Sequence, residues 1–368
     1  MHGGTSTVRL VVRSVPPSSP ALGPVWQRLQ EQGGVTTPFL TWEWFSALAE
    51  TPVLARETVV LVAYRDGTAV GLLPVEVVRE GPVRTVRCTG AATLGADHLD
   101  VVALPEDREA VAEALAQHVA RRLWWDLADF EGLVEGGALA LALIRALTWP
   151  LVVPRRPVPE VVPVVELQGS GSPDTLARLR RRAARGTRSA ERSGGGFSAV
   201  GDPGQVGPLL ESLMELHNSR FGDRSGIFAT PQMRDFHVRA ATRMSAAGLA
   251  RVCRLYTAER DIALEYVLLL GDRAFAYQSG FLPGGGHSPG RTVECRSMLT
   301  AAEEGRVEYD LLRGDEAYKA EYATASRSDV RIRALRPTPR TAAWFAGRVL
   351  HRLATVAAVR RRERDGRS

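Results

Sequence analysis

GRVEYDLLRGDEAYKAEY, residues 305–322, decides how the second half of the chain is read. Gly305 can close a preceding helix, because glycine tolerates a left-handed backbone. Residues 307–312 then read as a short buried strand. Arg313, Gly314, Asp315, Glu316, Tyr318 and Lys319 follow at once. In open α/β sheets ligands bind beyond the carboxyl ends of strands, which is where this cluster falls. A loop needs one helix cap, and a second acid suits the first turn. Here two acids, two bases and a phenol crowd one strand end. Asp315 and Glu316 are therefore candidate proton acceptors. Arg313 and Lys319 are candidates to hold an acidic substrate group or to keep those carboxylates ionised.

Just upstream, residues 250–257, 262–270 and 273–281 read as three strands, separated by Glu259-Arg260-Asp261 and Gly271-Asp272. The last runs into a glycine-rich loop, residues 283–291, with a helix starting near Pro289. Glycines let backbone N–H groups approach a ligand, and a helix N-terminus offers free donors and a positive dipole end. Ser288, Gly290, Arg291 and Thr292 thus form a candidate pyrophosphate cradle. Further upstream, Leu209, Leu210, Leu213, Leu216 and His217 follow the repeat of an amphipathic helix, and residues 231–246 form another. Before these, Arg178, Arg180, Arg181, Arg182, Arg185, Arg188 and Arg192 share a helix with few acids, and Gly186 interrupts it. A solvated basic face and a phosphate contact weigh about equally. Interleaved aromatics, which a single-strand nucleic-acid platform needs, are missing.

The first half reads as β-α-β-β-β-α-β-α: strands near 8–12, 59–64, 69–78, 83–88 and 126–130, with Asp66-Gly67 as a hairpin turn. Asp97, His98 and Asp100 lie together in GADHLD. A histidine so placed usually makes structural hydrogen bonds, and the functional reading is a polar wall of a substrate cleft. No second His or Cys supports a zinc spacing, and no metal is expected. Proline-rich residues 151–163 read as extended and mark the boundary between halves. Beyond Pro339 an apolar helical stripe ends in Arg360, Arg361 and Arg362.

With 368 residues, 45% of them hydrophobic and 24% charged, two globular domains are the natural expectation. The net charge of +6 is carried by arginine and is local. It favours acidic or phosphate-bearing partners. Three scattered cysteines fit a reducing compartment. No signal peptide and no membrane-spanning run is expected, which points to the cytoplasm.

Three antiparallel strands, a loop and helix suited to pyrophosphate, then a strand and a helix: this order resembles the GNAT acyltransferase superfamily. Ser288-Pro289-Gly290, Gly305, Tyr309-Asp310-Leu311-Leu312-Arg313-Gly314-Asp315-Glu316 and Tyr318-Lys319 sharpen it. So do Pro38-Phe39 before a Trp-containing helix, Gly71-Leu72-Leu73-Pro74, the Asp97/Asp100 pair, the arginine helix and Leu216-His217. As a set, over roughly residues 24–322, they are similar to CelD-like, cellulose-biosynthesis-associated acetyltransferases, relatives of the Fem-type peptidoglycan bridge transferases. The resemblance implies an α/β (α+β) fold with tandem GNAT-like domains at 1–165 and 166–340, each a mixed, mostly antiparallel sheet flanked by helices. Residues 341–368 are then an amphipathic helix and basic tail. It implies acyl transfer, acetyl first, from acyl-CoA as co-substrate to an amine or hydroxyl of a small-molecule, sugar or envelope-precursor acceptor. Tyr318 falls where the superfamily often keeps a tyrosine that protonates the leaving thiolate. Where the superfamily has Gln/Arg-x-x-Gly-x-Gly/Ala, this chain has SPGRT. Fem-type relatives take their acyl group from aminoacyl-tRNA, which is the alternative donor and the one case in which nucleic acid is expected as a partner. A silent binding module on the same fold is a third reading. Glu316, Asp315, Tyr318 and Lys319 are the catalytic candidates, with Glu265 and His217 as reserve bases. His98, Asp100, His217, Glu265 and Arg313 are the substrate-side candidates. The basic C-terminal helix is expected to pack on the second domain, with weak contact to an anionic membrane surface as the lesser option.

Overall fold

Runs rich in β-branched residues form the strands, and these join into one sheet. The computed structural model describes residues 10–148, 152–221, 226–283, 288–344 and 346. The centre of the glycine-rich loop, the start of the first expected strand and most of the C-terminal helix with its basic end lie outside the described residues.

In chain order the first half contains β1 (Val11–Val15), α1 (Leu22–Glu31), α2 (Trp42–Ala49), α3 (Pro52–Ala55), β2 (Thr58–Arg65), β3 (Thr68–Glu80), β4 (Val83–Cys88), α4 (Ala91–Leu94), β5 (Val102–Ala103), α5 (Arg108–Arg121), β6 (Leu127–Val134) and α6 (Ala138–Ala146). The second half opens with β7 (Val153–Pro154), β8 (Val158–Glu166), α7 (Ser172–Arg192), β9 (Gly196–Val200), α8 (Pro203–Phe221) and α9 (Pro231–Ala246). It continues with β10 (Ala250–Tyr256), β11 (Asp261–Leu270), β12 (Arg273–Phe281), α10 (Pro289–Glu303), β13 (Glu308–Asp310), α11 (Ala317–Ala320) and β14 (Ala325–Leu335).

The expected mixed, mostly antiparallel sheet flanked by helices is what forms. Its order is β1-β2-β3-β4-β6-β14-β8-β13-β12-β11-β10-β9, with β5 beside β3 and β7 beside β14. Each half repeats one arrangement: three antiparallel strands, then a fourth parallel to the third. β4 pairs parallel with β6, and β12 with β13. The halves interlock at the sheet's centre. The last described strand, β14, runs antiparallel between β6 of the first half and β8. The proline-rich stretch read as a boundary contributes β8, a central strand.

Side chains of β10 and β11 alternate between two cores, as strand geometry requires. Val252, Leu264, Tyr266 and Leu268 join the larger core, which runs without a break into the first half through α2, α8 and α9. Trp44 of α2 meets Phe236 of α9 edge-to-face, centroids 5.0 Å apart. Cys253, Leu255, Ala263 and Val267 face the smaller core beneath α7 and α10. Gly186, which reads in sequence as an interruption, is where α7 meets α10: a Cβ there would overlap the Thr292 side chain.

Candidate functional site

The parallel pair β12–β13 is held over only three positions, Arg273↔Glu308, Ala274↔Tyr309 and Phe275↔Asp310. Beyond them β12 continues to Phe281, while the chain after Asp310 follows β8, with Leu311 N donating to the Pro163 carbonyl at 3.0 Å and Gly314 N to the Val161 carbonyl at 3.2 Å. The two strands therefore part, and a cleft of about 1110 Å³ opens between them. A bulge at Tyr277 re-aims this end of β12, since Tyr266 pairs with Gln278 but Val267 with Ala276. Leu282 N donates to the Ile262 carbonyl. Alternation then turns the backbone groups of Ser279 and Phe281 toward the opening. His217 of α8 reaches that edge, its Nδ1 donating to the Ser279 carbonyl at 3.0 Å.

The equivalent gap in the first half is closed. β4 pairs with β6 only at Thr85↔Leu127 and Val86↔Ala128. Further along, Leu99 forms a parallel bridge with Leu133. Leu99 N donates to the Gly132 carbonyl at 2.7 Å, and Val134 N to the Leu99 carbonyl at 3.2 Å. The GADHLD segment thus plugs its own half's wedge.

The same segment braces the corner of the other half. Arg313 N donates to Asp97 Oδ2 at 2.8 Å, and its guanidinium pairs with Asp97 and with Glu160, the latter at 3.0 Å. Burial pushes the Asp97 carboxyl up to about 6, against the pull of Arg313. His98 is buried between two carboxylates, Nε2 lying 3.2 Å from Asp310 and Nδ1 3.1 Å from Asp329. Burial alone would lower this imidazole, but Asp310 and Asp329 outweigh it and raise it to about 10. Asp310 also accepts from Leu312 N at 2.8 Å. Leu312 has φ +58°, rare for a residue with a Cβ. Lys319, itself buried, donates to the carbonyls of Leu312 (3.3 Å) and Arg313 (2.7 Å) and pairs with Glu316 at 3.0 Å. A strained turn is thereby tied down from three sides.

Residues 177–320 match the family model of the acetyltransferase (GNAT) domain. The chain carries a GNAT domain. Over most of its length it is also similar in fold to solved structures. One is the C-terminal domain (DUF2156) of a putative lysylphosphatidylglycerol synthetase from Agrobacterium fabrum, with TM-score 0.55 and 15% identity, covering 88% of this chain and 94% of that one. Another is L-PGS from Bacillus licheniformis, with TM-score 0.55 and 14% identity, covering 86% and 92%. FemX gives TM-score 0.52 and 12% identity, covering 83% and 95%. At such identities the likeness speaks for the fold. A comparison with curated proteins gives no match.

Within the GNAT domain, Glu265 lies on the cleft's floor. It is 2% exposed, and its enclosed Oε2 has no hydrogen-bond partner among the described residues. Burial raises its carboxyl to about 7, while the Ser297 and Tyr309 hydroxyls and the Arg251 charge oppose the rise. Glu316, Asp315, Tyr318, Lys319, Arg313 and His217 all line the cleft. Glu316 and Asp315 stand at its exposed mouth, and the Glu316 side chain is 55% exposed. Ser288 and Arg291 line it too, with Arg291 paired to Glu321 at 2.7 Å. Gly290 and Thr292 turn elsewhere. Gly290 packs on the Phe281 ring, which a Cβ would approach to 2.6 Å, and Thr292 is buried against α7.

Two expected substrate contacts, His98 and Asp100, do not line the cleft. His98 sits in the buried network described above. Asp100 accepts from Leu139 N at 2.8 Å and Ala138 N at 3.2 Å, capping α6. Glu160, Ser279, Glu294 and Tyr322 line the cleft without having been singled out in sequence. They come from β8, β12, α10 and the turn after α11. No local motif joins them, and only the knowledge that β8 is central would have pointed to Glu160. Among the described residues no helix is long and apolar enough to cross a membrane.

Proposed function

We propose that the chain is an acyltransferase working in the open wedge between β12 and β13, with Glu265 as the proton acceptor. One observation carries this reading: the second half leaves its wedge open over a buried carboxylate with an unpartnered oxygen, while the first half plugs its own. The acceptor's nitrogen attacks the acyl carbon, a C–N bond forms, and the bond to the donor's sulfur or oxygen breaks. The amine proton passes to Glu265, directly or through one water. The leaving group takes a proton from solvent or from Tyr318, which stands at the mouth. Glu316, first choice from the sequence, is less suited, because it is exposed and neutralised by Lys319. Near neutral pH a carboxyl at about 7 is better matched to accepting a proton.

Acyl-CoA is the donor favoured first, with acetyl the simplest acyl group and a CelD-like relationship the finer family reading. A small-molecule or envelope-precursor amine is the acceptor class, and the cytoplasm the place of action. An aminoacyl ester on tRNA is the second reading. Two observations favour it: Thr292 of the expected pyrophosphate cradle is buried against α7, and Arg291 is already paired.

Glu265→Gln is the test. Acyl transfer should fall about 10²–10⁴-fold, with donor affinity by titration unchanged. The wild-type rate should rise as pH passes through about 7, and the variant should lose that limb. Equal turnover in the variant removes Glu265. Thermal shifts with acetyl-CoA, longer acyl-CoAs and charged tRNA then separate the donors, since a ligand at 100 times its Kd stabilises by about 2.7 kcal/mol.

A further inference from the structure

We propose that the outer face of α7 is a docking surface for the phosphate backbone of a double-helical nucleic acid. The buried residues of α7 are Thr175, Leu179, Ala183, Gly186 and Ala190. At 3.6 residues per turn they fall within an arc of about 80°, and Arg181, Arg185, Arg188 and Arg192 fall within about 60° on the opposite side. All four arginines are exposed, and among the described residues none has a hydrogen bond or ion pair. Their neighbours Arg178 and Arg182, on the flank, are engaged instead, donating to the carbonyls of Tyr322 (3.2 Å) and Glu321 (3.0 Å). Acids on the helix are confined to Asp174, on the arginine side but about two turns before Arg181, and Glu191 on a flank.

Like charges three and four residues apart disfavour an isolated helix. An ordinary solvated helix face interleaves glutamates at such positions, and this face does not. What relieves the repulsion is an extended polyanion. The stripe spans about 16 Å at 1.5 Å per residue, and a duplex carries one phosphate charge per about 1.7 Å of its axis. Other polyanions fit less well. Insertion into a membrane interface requires an apolar face opposite the charges, and the face opposite is packed against α10. No large apolar side chain of α7 is exposed. Single strands are held largely by base stacking on aromatics, and α7 has none. The flank of α7 that holds Glu321 and Tyr322 abuts the cleft, which Tyr322 lines. A stem lying on the stripe would run past the mouth of the transfer site.

The full-length protein is titrated, by fluorescence anisotropy, into a labelled RNA hairpin and a DNA duplex of equal stem length, from 50 to 200 mM salt. Sedimentation with phosphatidylglycerol-containing vesicles runs in parallel. Four phosphate contacts predict a log–log salt slope of about −3.6, hence about 100-fold weaker binding across that range. A variant with all four arginines changed to Gln should lose nearly the whole slope. Arg185→Gln, a milder change should the quadruple variant misfold, should reduce it by about 1. Equal binding of both duplexes means that phosphate alone is read, and preference for the hairpin assigns the stem to RNA. The proposal fails if neither duplex binds, if the slope survives in the folded variants, or if the stripe is needed only for vesicles.

Discussion

Lys319 acts on the backbone. Its ammonium joins the carbonyls of Leu312 and Arg313 and holds a turn in which Leu312 is left-handed. Replacing it by Met keeps the stem's volume and leaves two carbonyls without their donor. Lys319→Met should cost about 2–3 kcal/mol of stability, by denaturant unfolding. Loss of turnover without loss of stability would give it a chemical role instead. His98 offers a pH test. Its folded value, about 10, lies above the ordinary 6.5. Its contribution is therefore complete below about 6.5 and is lost as pH rises toward 10. Melting temperatures from pH 6 to 10 should fall more steeply for the wild type than for His98→Gln, and parallel curves would show that the imidazole does not titrate with folding. The sequence displayed GADHLD and DLLRGDE as two polar clusters. It could not show that they bind each other, because Arg313 and Asp97 are 216 residues apart. Asp329 drew no notice as one acid in a strand of alternating arginines.

At the scale of elements, the meander β10–β11–β12 was legible almost to the residue. Its strands alternate, and Gly271-Asp272 fixes a turn. The wedge that follows was not legible, since splaying depends on how far β13 continues and on what stands beside it. Gly186 was misread for a related reason: a glycine in a helix looks like an interruption until the neighbouring helix is known. Gly186→Val would drive a branched side chain into Thr292. It should cost about 1–3 kcal/mol by overpacking, measured by denaturant midpoint. An unchanged midpoint would mean that α7 and α10 can separate freely. The arginine face opposite should then be tested in a variant that keeps this contact, because the two faces of α7 do different work.

For the whole molecule, the question is whether 1–165 and 166–340 are independent units. Chain length and the GNAT resemblance pointed to tandem domains, and a repeated arrangement is present. Yet β14 lies between β6 and β8, one apolar core passes from α2 to α9, and His98 of one half sits between Asp310 and Asp329 of the other. Cutting at 165 would strip β6 of a neighbour and leave buried carboxylates unpaired, and breaking a buried ion pair typically costs about 3–5 kcal/mol. The full chain should therefore unfold in one calorimetric transition whose van't Hoff and calorimetric enthalpies agree. Residues 166–340 expressed alone should show no cooperative transition, and mixing with 1–165 should restore one. Two resolved transitions in the intact chain, or a well-folded second half alone, would make the first half a separate module. The brace on the transfer corner would then be a contact between domains, free to open as they move.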